Sequence, residues 1–290
     1  MQELAYQRPT RIADAIGLLA HDGARALAGG SDLVPQLREG RLGASVVVDL
    51  KHVSELTAIT QLPDGSWHVG AATSIHALGR HAAFSAAFPG LVAAARLIGS
   101  LQIQSRSTLG GNLCNAAPSA DAVPLLIAHD AIVQIADANG RTTRAAADFA
   151  QGPGTTQLQH GQLVTRIELP KPVPRSAATY LRFTPRREMD IAIVGSGVRL
   201  DIDSSGAILD ARIVLASVAP VPLIAASAQS LLVGETPSAA LFNAAGARAA
   251  HEARPISDTR GSADYRRELA AVLTRRALVD CARQLGMMLP

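Results

Sequence analysis

Thr108-Leu109-Gly110-Gly111-Asn112-Leu113-Cys114-Asn115-Ala116-Ala117-Pro118-Ser119-Ala120-Asp121 combines a hydroxyl, a glycine pair, two amides and a carboxylate within fourteen residues. Glycine has no Cβ, so its backbone N–H groups can approach a ligand closely. Thr108 and the amides of Gly110 and Gly111 can hold phosphate oxygens, with Leu109 between them and Asn112 fixing the loop. Asp121 can accept from ribose hydroxyls, as acidic residues do in dinucleotide sites. The same residue types also serve as turn and helix-cap residues ahead of the apolar run at 122–128.

Nearer the amino terminus, Ala28-Gly29-Gly30-Ser31-Asp32-Leu33 follows the apolar run Ala26-Leu27-Ala28 and precedes helical spacing at Leu33, Val34 and Leu37. The pattern is strand, turn, helix. Paired glycines permit a tight turn with positive φ, and the helix start behind them offers free N–H donors to a phosphate. Alone, such a loop reads as an ordinary βα turn. Two in one domain favour a phosphorylated dinucleotide. The residues leave open which one: no Gly-x-Gly-x-x-Gly follows the first strand, and Gly195-Ser196-Gly197 lies inside a strand-like segment without a third glycine. No Gly-x-x-x-x-Gly-Lys-Ser/Thr loop occurs, which disfavours nucleotide hydrolysis.

Around these loops the first half of the chain alternates β and helical signals. Strands are expected at 45–50 and 67–70, and helical spacing runs through Leu91, Val92, Ala95 and Ile98. Asp64-Gly65, and Asn139-Gly140 after the run 132–135, predict antiparallel hairpins, so a purely parallel sheet is not expected. Pro170-Lys171-Pro172-Val173-Pro174 follows a strand-like run at 163–169, and its prolines cannot continue a ladder. The boundary falls there, giving domains 1–172 and 175–290. In the second, β-like runs at 193–201 and 208–217 precede Pro220-Val221-Pro222 and a helical tail rich in Ala, Leu and Arg. That is an α+β domain, a meander followed by helices.

Composition narrows the function. With 290 residues, 48% hydrophobic and 18% charged, the chain is long enough for two domains, and no run of eighteen apolar residues marks a membrane span. Its start, Met1-Gln2-Glu3-Leu4, lacks a secretory pattern, so a cytoplasmic location is expected. A net charge of +3 and 3% aromatic residues give nucleic-acid binding no support. Cys114 and Cys281, read as reduced thiols, cannot supply the four thiolates of an iron–sulfur cluster, so any redox centre here must be organic.

The order of the segments resembles the FAD-binding medium subunit of the molybdenum hydroxylase (xanthine dehydrogenase and carbon monoxide dehydrogenase) family. The resemblance rests on 28–33, on Ala72-Thr73-Ser74-Ile75, on 103–112 and on 118–121. In the second half it continues through Arg186-Arg187-Glu188-Met189-Asp190-Ile191-Ala192 and 216–222. It implies an α+β fold: an FAD-binding domain of the vanillyl-alcohol oxidase (PCMH) type made of two α/β subdomains, then a smaller α+β domain of antiparallel strands and helices. It further implies that Ala26, Leu27, Ala28, Gly29, Gly30, Ser31, Asp32 and Leu33, together with Thr108, Leu109, Gly110, Gly111 and Asn112, wrap the FAD diphosphate. Asp121 would reach the ribose side, and Ile98 and Val164 would touch the cofactor from apolar positions. Arg182 stands where relatives often carry a flavin-contacting lysine, Ile191 falls where some relatives place a residue against the isoalloxazine ring, and Asp190 beside it could tune the flavin potential. The other reading of Arg186, Arg187, Glu188 and Asp190 is a solvated loop with surface ion pairs.

By the same resemblance FAD is held non-covalently, since His52, His68, His76 and His81 lie outside any attachment motif and read as surface or structural residues. Molybdopterin and [2Fe–2S] clusters belong to partner subunits, a large molybdopterin chain and a small iron–sulfur chain, in a dimer of heterotrimers. The implied chemistry is electron transfer from the [2Fe–2S] subunit through FAD to an external acceptor. No His, Glu or Lys in the motifs is placed as a general base, so no catalytic residue or metal ligand is assigned. The alternatives are a stand-alone FAD-dependent oxidoreductase of the same fold and a non-catalytic scaffold whose glycine loops are only turns.

Overall fold

The computed structural model describes residues 4–186 and 189–289. Three short strands near the amino terminus pair in parallel. β1 (Ala5–Gln7), α1 (Ile12–Leu19), β2 (Ala24–Leu27), α2 (Leu33–Arg38) and β3 (Val46–Asp49) build a sheet of order β1-β3-β2. Parallel strands need crossovers rather than hairpins, and α1 and α2 supply them. Ala15, Ile16 and Leu19 bury one face of α1 among Val48, Leu50, Val53 and Leu56. Both pairings of this sheet are parallel, and the hairpins expected at Asp64-Gly65 and Asn139-Gly140 belong to the next sheet.

The second subdomain comprises β4 (Ile59–Gln61), β5 (Trp67–Gly70), α3 (Ile75–Arg80), α4 (Ala82–Ala87), α5 (Pro89–Ala95), α6 (Leu101–Gln104), α7 (Leu109–Cys114), α8 (Val123–Ala128), β6 (Ile132–Asp137), β7 (Gly140–Ala145), β8 (Ala150–Gly152), β9 (Thr155–Thr156) and β10 (Leu163–Leu169). Its five-stranded sheet, β4-β5-β10-β6-β7, is antiparallel throughout. Asp64-Gly65 and Asn139-Gly140 turn the two hairpins, with positive φ at both glycines. Asp64 and Asp137 each accept the N–H two residues on, at 2.9 and 2.8 Å, the local bond that makes Asp a turn former. Trp67, Phe84, Phe88 and Phe149 are almost wholly buried between sheet and helices.

After the proline segment come β11 (Ser176–Phe183), β12 (Val194–Ile202), β13 (Ile208–Ala216), β14 (Leu223–Ile224), α9 (Ala226–Ser230), α10 (Ala239–Glu252) and α11 (Ala263–Gln284). The strands form an antiparallel meander in sequence order. Every residue of β12 is buried, because α11 covers one side and α8 of the preceding domain meets the other. That burial explains the small residues in the strand: a Cβ on Gly197 would stand 2.8 Å from the Pro124 side chain. The architecture is α+β, two subdomains followed by a meander with helices.

Candidate functional site

The two glycine loops converge. β2 ends at Leu27, the chain turns through Ala28–Asp32 and enters α2; the second loop enters α7 at Leu109. A Cβ on Gly29 would lie 2.2 Å from the Arg106 carbonyl oxygen and 2.7 Å from Ser107 Cα, so only glycine lets the loops touch backbone to backbone. Gly30 has φ +77°, and a Cβ on Gly110 would lie 2.5 Å from the Ala71 carbonyl oxygen. The Thr108 hydroxyl oxygen accepts the Gly111 N–H at 2.9 Å and caps α7. Asn112 Oδ1 accepts the Ala122 N–H at 3.4 Å, tying α7 to the segment before α8.

Between the loops opens a cleft of about 280 Å³. Of the residues singled out in the sequence, Ala26, Ala28, Gly29, Gly30, Ser31, Asp32, Leu33, Ile98, Thr108, Gly110, Gly111, Asn112 and Val164 line it. Leu27 packs behind Gly30, and the Leu109 side chain is buried in the core. Asn115, within the stretch 108–121 but given no ligand role, also lines the cleft, as do Ser107, Gln162 and Leu163, which were given none either. Ser107 could have been found as a polar residue next to Thr108 ahead of the glycine pair. Gln162 and Leu163 carry no local signal, since tertiary folding alone brings the start of β10 there.

Three expected contacts lie elsewhere. Asp121 does not face the cleft: its Oδ1 accepts the Tyr180 hydroxyl at 3.0 Å and its Oδ2 accepts Arg182 Nη1 at 2.6 Å, all three residues being buried or nearly so. Burial pushes the Asp121 carboxyl up despite Arg182 and Tyr180, and pushes the Tyr180 phenol well above its ordinary value. Arg182 therefore spends its charge on Asp121, across the domain boundary. Ile191, half exposed, lines a separate cavity of about 390 Å³ with Pro118, Ser119 and Arg266. Asp190 accepts the N–H groups of Arg186 and Ile191 in a local loop; Arg187 and Glu188 lie outside the described residues.

The cleft fits an anionic dinucleotide. The N–H groups of Gly29, Gly30, Ser31 and Asp32 donate to no acceptor among the described residues. Ser107 Oγ is buried at the cleft wall with no partner among the described residues. An unpaired buried hydroxyl is rare enough to call for an explanation, and a diphosphate supplies an acceptor for it as well as for the half-exposed loop N–H groups. Ile98, Leu158 and Val164 give the same cleft an apolar wall. Cys114 also lines it, and burial pushes its thiol up to about 12, so it remains a neutral group. Among the described residues no His, Cys, Asp and Glu cluster could hold a metal ion, and no helix is long and apolar enough to cross a membrane.

Fold and cleft together fit a protein of two subdomains that binds an anionic dinucleotide between them. Residues 2–172 match the profile of the FAD binding domain in molybdopterin dehydrogenase, and residues 179–281 that of the CO dehydrogenase flavoprotein C-terminal domain. The carbon monoxide dehydrogenase medium chain of Afipia carboxidovorans is 34% identical over 276 residues, 94% of each chain. The xanthine dehydrogenase FAD-binding subunit of Escherichia coli O157:H7 is 28% identical over 284 residues, 97% of each chain. A chain of quinoline 2-oxidoreductase from Pseudomonas putida 86 superposes with a TM-score of 0.92 at 29% identity, covering 98% of this chain and 99% of its own. The chain belongs to the FAD-binding subunits of the molybdenum hydroxylase family, the flavoprotein components of molybdopterin-dependent oxidoreductases.

Proposed function

We propose that this chain is the electron-transfer subunit of a cytoplasmic molybdenum hydroxylase, with FAD held non-covalently in the cleft between the glycine loops. The convergence of those loops around unpaired donors carries the reading. Gly29, Gly30, Ser31 and Asp32 would hold the diphosphate from one side, Thr108 to Asn112 from the other, with Ser107 adding a hydroxyl. Ile98 and Val164 would exclude water from the apolar wall. When bound, FAD supplies two-electron redox chemistry, fed by a [2Fe–2S] partner and drained by an external acceptor. This chain's residues bind and orient; none handles the organic substrate. Asp121 and Arg182 act at one remove by locking β11 to the loop after α7.

A small [2Fe–2S] subunit and a large molybdopterin subunit complete the enzyme, as a dimer of heterotrimers. The printed names of the relatives, a medium chain and an FAD-binding subunit, support a multi-subunit setting. The domains divide at 1–172 and 175–290, across the proline segment.

The test is a visible spectrum of the purified chain before and after dithionite, with acid release of the chromophore. A bleachable, releasable flavin without iron–sulfur absorbance is expected. Gly111→Val should remove it, because a Cβ there meets only the Thr108 hydroxyl, at 2.8 Å, and the larger side chain enters the cleft. Normal flavin content in a folded Gly111→Val variant contradicts the placement. Turnover of an organic substrate by this chain alone contradicts the partner assignment.

A further inference from the structure

The side-chain walls of the cleft hold one charged group, Asp32, and no Lys, Arg or His among the described residues. A dianionic diphosphate must therefore rely on correctly aimed backbone N–H groups, which makes whatever aims them important. Lys51 is placed to do so. It follows β3 on a single 3₁₀ turn, Leu50–His52, and its Nζ folds back to donate to the Ala28 carbonyl oxygen at 2.9 Å. Ala28 immediately precedes Gly29-Gly30. A trans peptide is planar, with its C=O and N–H pointing opposite ways, so fixing the Ala28 carbonyl also fixes the Gly29 N–H, directed away from Lys51. Gly29 is pressed from another side by the Arg106 carbonyl and Ser107, so the peptide is gripped twice.

Lys51 is itself anchored. Nζ donates to Asp49 Oδ1 at 2.5 Å, and the same oxygen accepts the Lys51 N–H at 3.0 Å. Asp49 is 2% exposed, and its second oxygen accepts the Tyr6 hydroxyl from β1. Burial alone would raise the Asp49 carboxyl, but the bonds from Lys51 and Tyr6 outweigh it and hold the group below its ordinary range, charged at neutral pH. The strands of the three-stranded sheet thus end in a chain of contacts, Tyr6 to Asp49 to Lys51 to the glycine loop.

We propose that Lys51, anchored by Asp49 and Tyr6, is a positioning residue for FAD: it orients the diphosphate loop through the Ala28 carbonyl. The proposal rests on the FAD site assigned above. Lys51 and Asp49 cancel in charge, so the device works by direction rather than by field, and this separates it from an electrostatic role. If the lysine charge mattered, removing its counter-charge with Asp49→Asn would tighten FAD binding; if orientation matters, the same change weakens it.

The experiment titrates deflavinated full-length protein with FAD, following fluorescence quenching, with ADP as competitor, for the parent, Lys51→Met, Lys51→Arg, Asp49→Asn and Tyr6→Phe. Thermal unfolding of each apoprotein controls for folding. Expected is a loss of FAD and ADP affinity of about tenfold or more in Lys51→Met, the order of one charge-assisted hydrogen bond. Weaker binding is also expected in Asp49→Asn, a smaller loss in Tyr6→Phe, which keeps the ring, and recovery in Lys51→Arg. Apoprotein melting should stay near the parent's in Tyr6→Phe. Parent-like affinity in Lys51→Met, or tighter binding in Asp49→Asn, overturns the positioning role and leaves the FAD site standing. A parent that takes up no FAD overturns both.

Discussion

Buried ionisable side chains show most clearly what the fold demands of single residues. Asp121 keeps its carboxylate partnered only because Tyr180 and Arg182 reach it from β11, and Tyr180 reaches it only because position 195 is glycine: a Cβ there would lie 2.2 Å from the Tyr180 hydroxyl. Gly195→Ala should therefore displace the tyrosine and destabilise the protein by about 1–3 kcal/mol, the cost of a buried polar group losing its partner. Adding Tyr180→Phe to that variant should cost little more, and equal, additive losses in a double-mutant cycle would refute the coupling. His129 makes a different prediction. Burial first, and Arg199 second, lower it from its ordinary 6.5 to about 3, its Nε2 has no partner among the described residues, and it stands edge-on to Phe88 at 5.2 Å. The unfolded chain binds the proton first, so this contribution to stability is intact above 6.5 and is lost as pH falls towards 3. The slope reaches about 1.4 kcal/mol per pH unit. In melting curves taken from pH 7 to 4, His129→Gln should lose less stability than the parent over that range; parallel curves would exclude the assignment.

Helices and strands differ in how openly the sequence declares them. The alternation and β-branched residues of Trp67–Gly70 and Leu163–Leu169 mark those strands to the residue, and both glycine turns mark their hairpins. β1, with three residues, holds too few side chains for a period to emerge, so its parallel pairing with β3 was not declared, although the run at 26–28 and the strand at 45–50 announced β2 and β3. α7 was hidden for another reason. Gly110-Gly111 has poor helix propensity and read as loop, yet both lie inside the helix, held by the Thr108 cap and by the contact of Gly110 with Ala71. The site was legible to the same degree: residues adjacent in sequence were found, whereas the Asp121–Arg182 pair, sixty-one positions apart, was not, because pairing is decided by the docking of β11. One expectation follows for α7. Gly110→Ala improves helix propensity but sets a methyl against the Ala71 backbone, so packing should win and the variant should melt below the parent. A raised melting temperature would show that propensity dominates.

At the scale of the whole chain, the question is what makes two domains behave as one. Arg199 of β12 reaches out of its own domain: its guanidinium donates to the Ala128 carbonyl oxygen at 2.6 Å and to Asp130 at 3.0 Å, while Asp210 at 2.6 Å and Asp201 at 3.3 Å hold it from its own sheet. Its side chain is 9% exposed, and Arg212 adds a second bridge to Asp130 at 3.4 Å. Nearby, Gly90 of α5 meets Ala178 of β11 so closely that a Cβ would lie 2.0 Å from its carbonyl oxygen. Charge and close packing thus work at one seam. Arg199 and Asp201 are buried whereas Asp130 and Asp210 are partly exposed, so removing the arginine costs less than the roughly 3–5 kcal/mol of a fully buried pair. Part of that loss falls on the contact between domains, since Asp201 and Asp210 lie on one side and Ala128 and Asp130 on the other. Arg199→Met should therefore do more than lower the melting temperature. Calorimetry of the parent apoprotein should show one transition. The variant should show two, the earlier belonging to the domain that loses its neighbour's support, with Arg212→Ala producing a smaller shift in the same direction. A single transition at the parent temperature in Arg199→Met would place the coupling in the apolar contacts of α5 and α8 instead.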